Sequence, residues 1–207
     1  MSLADTLTAL QAEVNQCSSL IAHAHELDLA GQPLLPLIDQ KQITVAAFLN
    51  MFISWETFLE SAFLDYMIGS STIGGRVPVK YVSPQNKDAA RAMVIGAQRY
   101  FDYGNIENVR KIVRMFFENG DPFEPHISAM NADLADLRTM RNASAHITST
   151  TQRALESLAL RTFGQPKTGI DLYHFLTARD PRSKVGDTVL AVSKDKLLAG
   201  AALIAQG

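Results

Sequence analysis

The sequence predicts a mainly α protein: a helical bundle over residues 1–165, with a small mixed α/β appendix over 166–207 packed on the same domain. Three observations carry that expectation. Apolar residues recur at steps of three and four through most of the chain, the period of a helix face. The segments between them carry Gly, Pro, Asn and Asp, the residues of turns and helix ends. Only beyond residue 165 do short runs with strand character occur, LYHFLT at 172–177 and TVLAV at 188–192.

The first helix places Leu3, Leu7, Leu10, Val14, Cys17, Ile21 and Ala24 on one stripe and stops near Gly31 and Pro33. The second, from about Thr44 to Ile68, carries Phe48, Phe52, Trp55, Phe58, Phe63 and Tyr66; its wide apolar face marks it as the most buried element. Residues 69–84 connect. Ser83 and Pro84 read as an N-cap and first helical residue, opening a third helix that runs to about Phe101. After a break at 102–105, a fourth helix runs from Ile106 to Glu118 and ends at Asn119-Gly120. A turn at 121–125 leads to a fifth, near His126, with Ile127, Met130, Leu134 and Leu137 on its stripe. The polar run Thr148–Thr151 caps a helix over 152–163, which Gly164 closes. Two short strands and a last helix, capped by Ser193 and running through Ala205, complete the appendix.

Of 207 residues, 47% are hydrophobic and 19% charged, and the net charge is −2. With no global basic excess, any nucleic-acid binding must come from a local patch. Cys17 is the single cysteine, so neither an internal disulfide nor a Cys-based zinc site is available, and a reducing cytoplasm is the expected location. The N-terminal segment carries Asp5 and Glu13 without a basic region, unlike a signal peptide. No apolar run reaches the roughly 18 residues of a membrane span, so no membrane partner is expected. His23 and His25, two apart on a helix, point about 200° from each other. No Glu-x-x-His or His-Glu-x-x-His pattern occurs, and no metal or cofactor is expected.

Two charges interrupt apolar stripes. On the second helix, Val45, Leu49 and Phe52 lead to Glu56 before Leu59, Phe63 and Tyr66 resume. On the fifth, Leu134 and Leu137 lead to Arg141. A charge withdrawn from water needs a partner. Either Glu56 reaches Arg141 and orients it, or the stripes drift and the charges sit at a wet rim. A basic edge is formed by Arg110, Lys111 and Arg114, and Arg138 adds charge to the fifth helix. It reads either as a solvated face or as a surface that tracks phosphates.

Residues 141–146 read RNASAH. On a continuous helix Arg141 and His146 lie about 140° apart, whereas Asn142 and His146 are neighbours. Read locally, the stretch is a helix end whose cations serve the macrodipole. The arrangement of arginine, polar residue, short spacer and histidine after the main helices of an all-α domain also resembles the R-x(4–6)-H motif of the HEPN superfamily. SWETFLESAF at 54–63 resembles the aromatic and acidic second helix of prokaryotic HEPN groups. The resemblance covers roughly residues 1–165.

That resemblance implies a HEPN-like helical bundle that dimerises with its two motifs facing each other. Many members are metal-independent endoribonucleases, often toxins or defence effectors opposed by an antitoxin protein. Others are inactive modules that bind RNA, a nucleotide or a protein. It implies Arg141 on the scissile phosphate and His146 in proton transfer, without a cofactor, with RNA and a second copy of the chain as partners. Asn142 would orient His146, and Glu56 would orient Arg141. The tyrosine that some active members carry two residues beyond the histidine is Thr148 here. Outside the resemblance, a helical interaction domain with no nucleic-acid role is the alternative.

Overall fold

Reciprocal hydrogen bonds start the first helix: Ser2 N donates to Asp5 and Asp5 N to the Ser2 hydroxyl. In the computed structural model, which describes residues 2–96, 99–146 and 148–207, those residues form nine α-helices and no strand. They are α1 (Leu3–Ala24), α2 (Leu37–Met67), α3 (Lys87–Ile95), α4 (Ile106–Phe116), α5 (Phe123–Ala129), α6 (Asn131–Ala145), α7 (Ser149–Phe163), α8 (Leu172–Thr177) and α9 (Val189–Gln206). None is long and apolar enough to cross a membrane.

α2 buries Thr44, Phe48, Met51, Trp55, Phe58 and Ala62, a run of alternating four- and three-residue steps. α3 starts later than expected, because Asn86 rather than Ser83 caps it by accepting from Ala89 N. Gly96 at φ 57° ends it short of the expected Phe101: Ala97 and Gln98 lie outside the described residues, and residues 99–101 are not helical. The expected fifth helix is two: α5 ends at Ala129, and Met130 at φ −98°, ψ 8° separates it from α6. α7 begins at Thr148, whose hydroxyl accepts from Thr151 N while the Thr151 hydroxyl accepts from Thr148 N, and closes at Gly164 with φ 71°. Thr148→Ala is expected to remove about 1 kcal/mol of stability, seen as a melting temperature about 2–4 °C lower.

The mixed C-terminal appendix is corrected at both expected strands. Residues 172–177 are α8: Leu172, Tyr173, Phe175 and Leu176 are buried and His174 is exposed, which is helical spacing and not alternation. Asp171 fixes the start by accepting from His174 N at 2.8 Å. Residues 189–192 are the first turn of α9, and the Thr188 hydroxyl accepts from Ala191 N. Ser193 is therefore inside the helix, donating back to Val189 O.

Contacts divide the described chain into two compact units. The first takes Met1–Gln11, Ser54–Ala135 and Leu197–Gly207. Its core is a cluster of rings. Phe63 meets Phe116, Phe117 and Phe123, and Tyr66 meets Phe117 and Phe123, with centroids 5.3–6.5 Å apart. The Tyr66 hydroxyl donates to Ile204 O, tying α9 to this cluster. Gly200 lets α9 close in, since a Cβ there would lie 2.6 Å from Met130 Sδ.

The second unit takes Ala12–Ile53 and Asp136–Lys196. Phe163 of α7 packs edge-on against Phe175 of α8. Tyr173 stacks on His25 at 5.8 Å and donates to Gln40 Oε1, while Lys41 pairs with Asp171 at 2.7 Å. Arg161 reaches back to Asp136, so α6 and α7 are bonded as a helical pair.

Candidate functional site

Met140, three residues beyond Leu137, continues the buried stripe of α6 and is 3% exposed. Arg141 falls one position past it, on the border of the stripe, and is half-buried. The helix ends at Ala145, but His146 N still donates to Asn142 O at 3.0 Å. His146 itself is exposed. Its carbonyl accepts from the Thr151 hydroxyl at 2.6 Å, the same side chain that closes the α7 cap. The backbone of His146 is thus bonded to the helix before it and the helix after it, and its imidazole lies on the surface at the corner.

Arg141 Nη1 donates to Asn142 Oδ1 at 3.4 Å, a long hydrogen bond, and the Ser144 hydroxyl donates to Arg141 O at 2.6 Å. Asn142 therefore touches both motif ends, the guanidinium through its side chain and His146 through its carbonyl. Arg138 lies one turn earlier on α6, half-buried.

In the first unit, half-buried Glu56 of α2 presses its carboxylate onto the 102–105 turn. A Cβ on Gly104 would come 2.1 Å from Glu56 Oε1, so any side chain there would displace the carboxylate from this position. Gly104 N donates to Asp102 Oδ1 at 3.0 Å, which shapes the turn. In sequence Gly104 reads only as a break.

The basic edge has a different occupation from a bare surface. Glu124, 8% exposed at the start of α5, accepts from Arg110 Nη2 at 2.9 Å, from Arg114 Nη2 and from the Ser128 hydroxyl at 2.8 Å. Arg110 also meets Glu107 at 3.5 Å. Two of the three cations of this edge are thus committed to an internal carboxylate, and Lys111 is exposed on α4. Glu124 was not legible as their partner, because only its spacing from Ser128, four residues, is local.

Burial works to raise the Glu124 pKa, but hydrogen bonds from Arg110, Ser128 and Arg114 outweigh it and hold the carboxyl below its ordinary value of 4.5. A depressed carboxylate contributes stability above its unfolded value and loses it as pH falls through the folded value. Glu124→Gln is therefore expected to cost about 1–2 kcal/mol at neutral pH, reduced by screening at the exposed arginine. In urea melts the difference from the parent protein should shrink as the pH is lowered below 4.5; a constant difference would contradict it.

Comparison with known proteins adds no assignment: the chain matches no protein-family model, no curated protein and no solved structure.

Proposed function

We propose that the protein is a metal-independent endoribonuclease of HEPN type whose active site is composite, built at a homodimer interface from the Arg141–His146 segments of two chains. The observation that carries this reading is the end of α6. An exposed imidazole stands there on a backbone bonded from both sides, five residues after a half-buried guanidinium, with the Asn142 side chain on the guanidinium and the Asn142 carbonyl on the His146 backbone N–H.

The chemistry needs no further group. The 2′-hydroxyl of RNA attacks the adjacent phosphorus, the bond from phosphorus to the 5′-oxygen breaks, and a 2′,3′-cyclic phosphate and a free 5′-hydroxyl result. One proton leaves the nucleophile and one reaches the leaving oxygen. A dimer supplies two copies of His146, one for each transfer. Arg141 holds the phosphorane charge through a planar set of donors. Asn142 orients His146, and Arg138, one turn before Arg141 on the same helix, adds weaker attraction for the RNA strand. A toxin or defence role, with an antitoxin protein as partner, fits such an activity.

The test is incubation of the full chain with single-stranded RNA in EDTA. Fragments ending in cyclic phosphate, at a rate that falls more than in proportion on dilution, support the proposal. RNA that is bound but left intact selects an inactive HEPN module, and RNA that is neither bound nor cut selects a helical interaction domain.

A further inference from the structure

We infer that the cleft between α7 and α8 is a binding site for a small organic anion, a phosphate or carboxylate carried on an apolar body. The cleft has a volume of about 570 Å³, within the range of about 300–1,000 Å³ usual for small-molecule sites. Its walls differ in character. Phe163, Ile170 and Pro181 supply apolar surface, and Lys167, His174 and Arg179 supply cations or donors.

Two of these cations are uncompensated. Among the described residues neither Lys167 nor Arg179 has an acidic partner, although four carboxylates lie close by in the chain. Each of those carboxylates is occupied elsewhere. Asp171 accepts from Lys41 and from His174 Nδ1, both at 2.7 Å. Glu156 accepts from Gly169 N and from Gln152. Asp180, 2% exposed, is held by Arg182, and Asp187 accepts from the Ser183 hydroxyl. Positive charge is therefore left over where an apolar wall meets water, the arrangement that an amphipathic anion satisfies and a bare ion does not.

The cleft is also built in advance. Its loop is bonded at successive residues, with Gly169 N donating to Glu156 at 2.7 Å and Ile170 O accepting from Gln152 Nε2 at 3.0 Å. Behind it, the ring of Phe163 is fixed by Phe175 at 5.5 Å. On the other side, Arg179 pairs with Thr188 as an isolated bridge, and its guanidinium lies beside Gly186. With Nδ1 of His174 engaged by Asp171, Nε2 is the ring nitrogen left for the cleft. A ligand entering such a site orders little of the protein.

The test is titration of the full, isotope-labelled chain with phenyl phosphate, benzoate, inorganic phosphate and benzyl alcohol, read by amide chemical shifts. Phenyl phosphate or benzoate is expected to shift residues of the 163–181 segment and to bind at least about tenfold tighter than inorganic phosphate or benzyl alcohol, since each of those offers one half of the interaction. Which of the two anions binds tighter names the head group. Lys167→Gln and Arg179→Gln, both at exposed positions, should each weaken binding about five- to tenfold. The same spectra show that the fold is kept. No shift at 163–181, equal binding of phenyl phosphate and benzyl alcohol, or undiminished binding by the double variant would overturn the inference. RNA cleavage plays no part in this readout, so it stands or falls separately from the ribonuclease proposal.

Discussion

Replacing His146 with alanine is expected to lower the rate of RNA cleavage by about 10²–10⁴-fold, the usual contribution of a positioned proton-transfer group, while leaving the fold unchanged. The side chain is exposed, and the bonds at this corner are made by backbone atoms that alanine keeps: His146 N to Asn142 O, and the Thr151 hydroxyl to His146 O. Melting temperature and helical content should match the parent protein, so lost activity reports chemistry. Arg141→Ala should cost about 10²–10³-fold, and Arg141→Lys should recover only part of it, because a point charge does not reproduce the planar fork. His146→Ala that cleaves RNA at the parental rate would end the ribonuclease proposal.

The second large effect is on stability. Phe63→Ala is expected to cost about 3–5 kcal/mol in urea unfolding. The ring is 1% exposed and touches three others, at 5.9 Å for Phe116, 5.3 Å for Phe117 and 5.9 Å for Phe123. Its removal leaves a cavity bounded by α2, α4 and α5, whose aromatic walls are too stiff to collapse fully into it. Phe63→Leu refills most of that volume and should cost much less. The midpoint should move with an unchanged slope against urea, since the extent of unfolding is the same. A loss below about 1 kcal/mol would show that the ring cluster does not organise this unit.

The ends of α7 and the fate of residues 172–177 show what was readable in the chain and what was not. Thr148, Thr151 and Gly164 are separated from the groups they cap by three or four residues, so the polar run and the glycine predict both ends of the helix. The LYHFLT run is six residues long, too short for its period to separate helix from strand. Asp171 settles it locally through its bond to His174 N, and burial of Leu172, Tyr173, Phe175 and Leu176 follows. For α6 the stripe was legible, but its last member is Met140, not Arg141, because the step after Leu137 is three and not four.

The charges depended on partners far along the chain. Arg110 and Arg114 read in isolation as a basic edge, yet their neighbour is Glu124, brought across by the turn after α4. Gly104 reads as a helix break, yet its lack of a side chain is what admits the Glu56 carboxylate from 48 residues earlier. The motif at 141–146 singles out Arg141, Asn142 and His146; the corner geometry adds how Asn142 and Thr151 hold the backbone of His146.

By itself the sequence determined a mainly helical chain, its principal helices and many of their ends, because period and capping act over three or four residues. Only the tertiary structure decided which charges are committed to internal partners, which glycine a carboxylate packs against, and where cations are left uncompensated beside an apolar wall. Those outcomes depend on distance in space between residues whose separation along the chain carries no local signal.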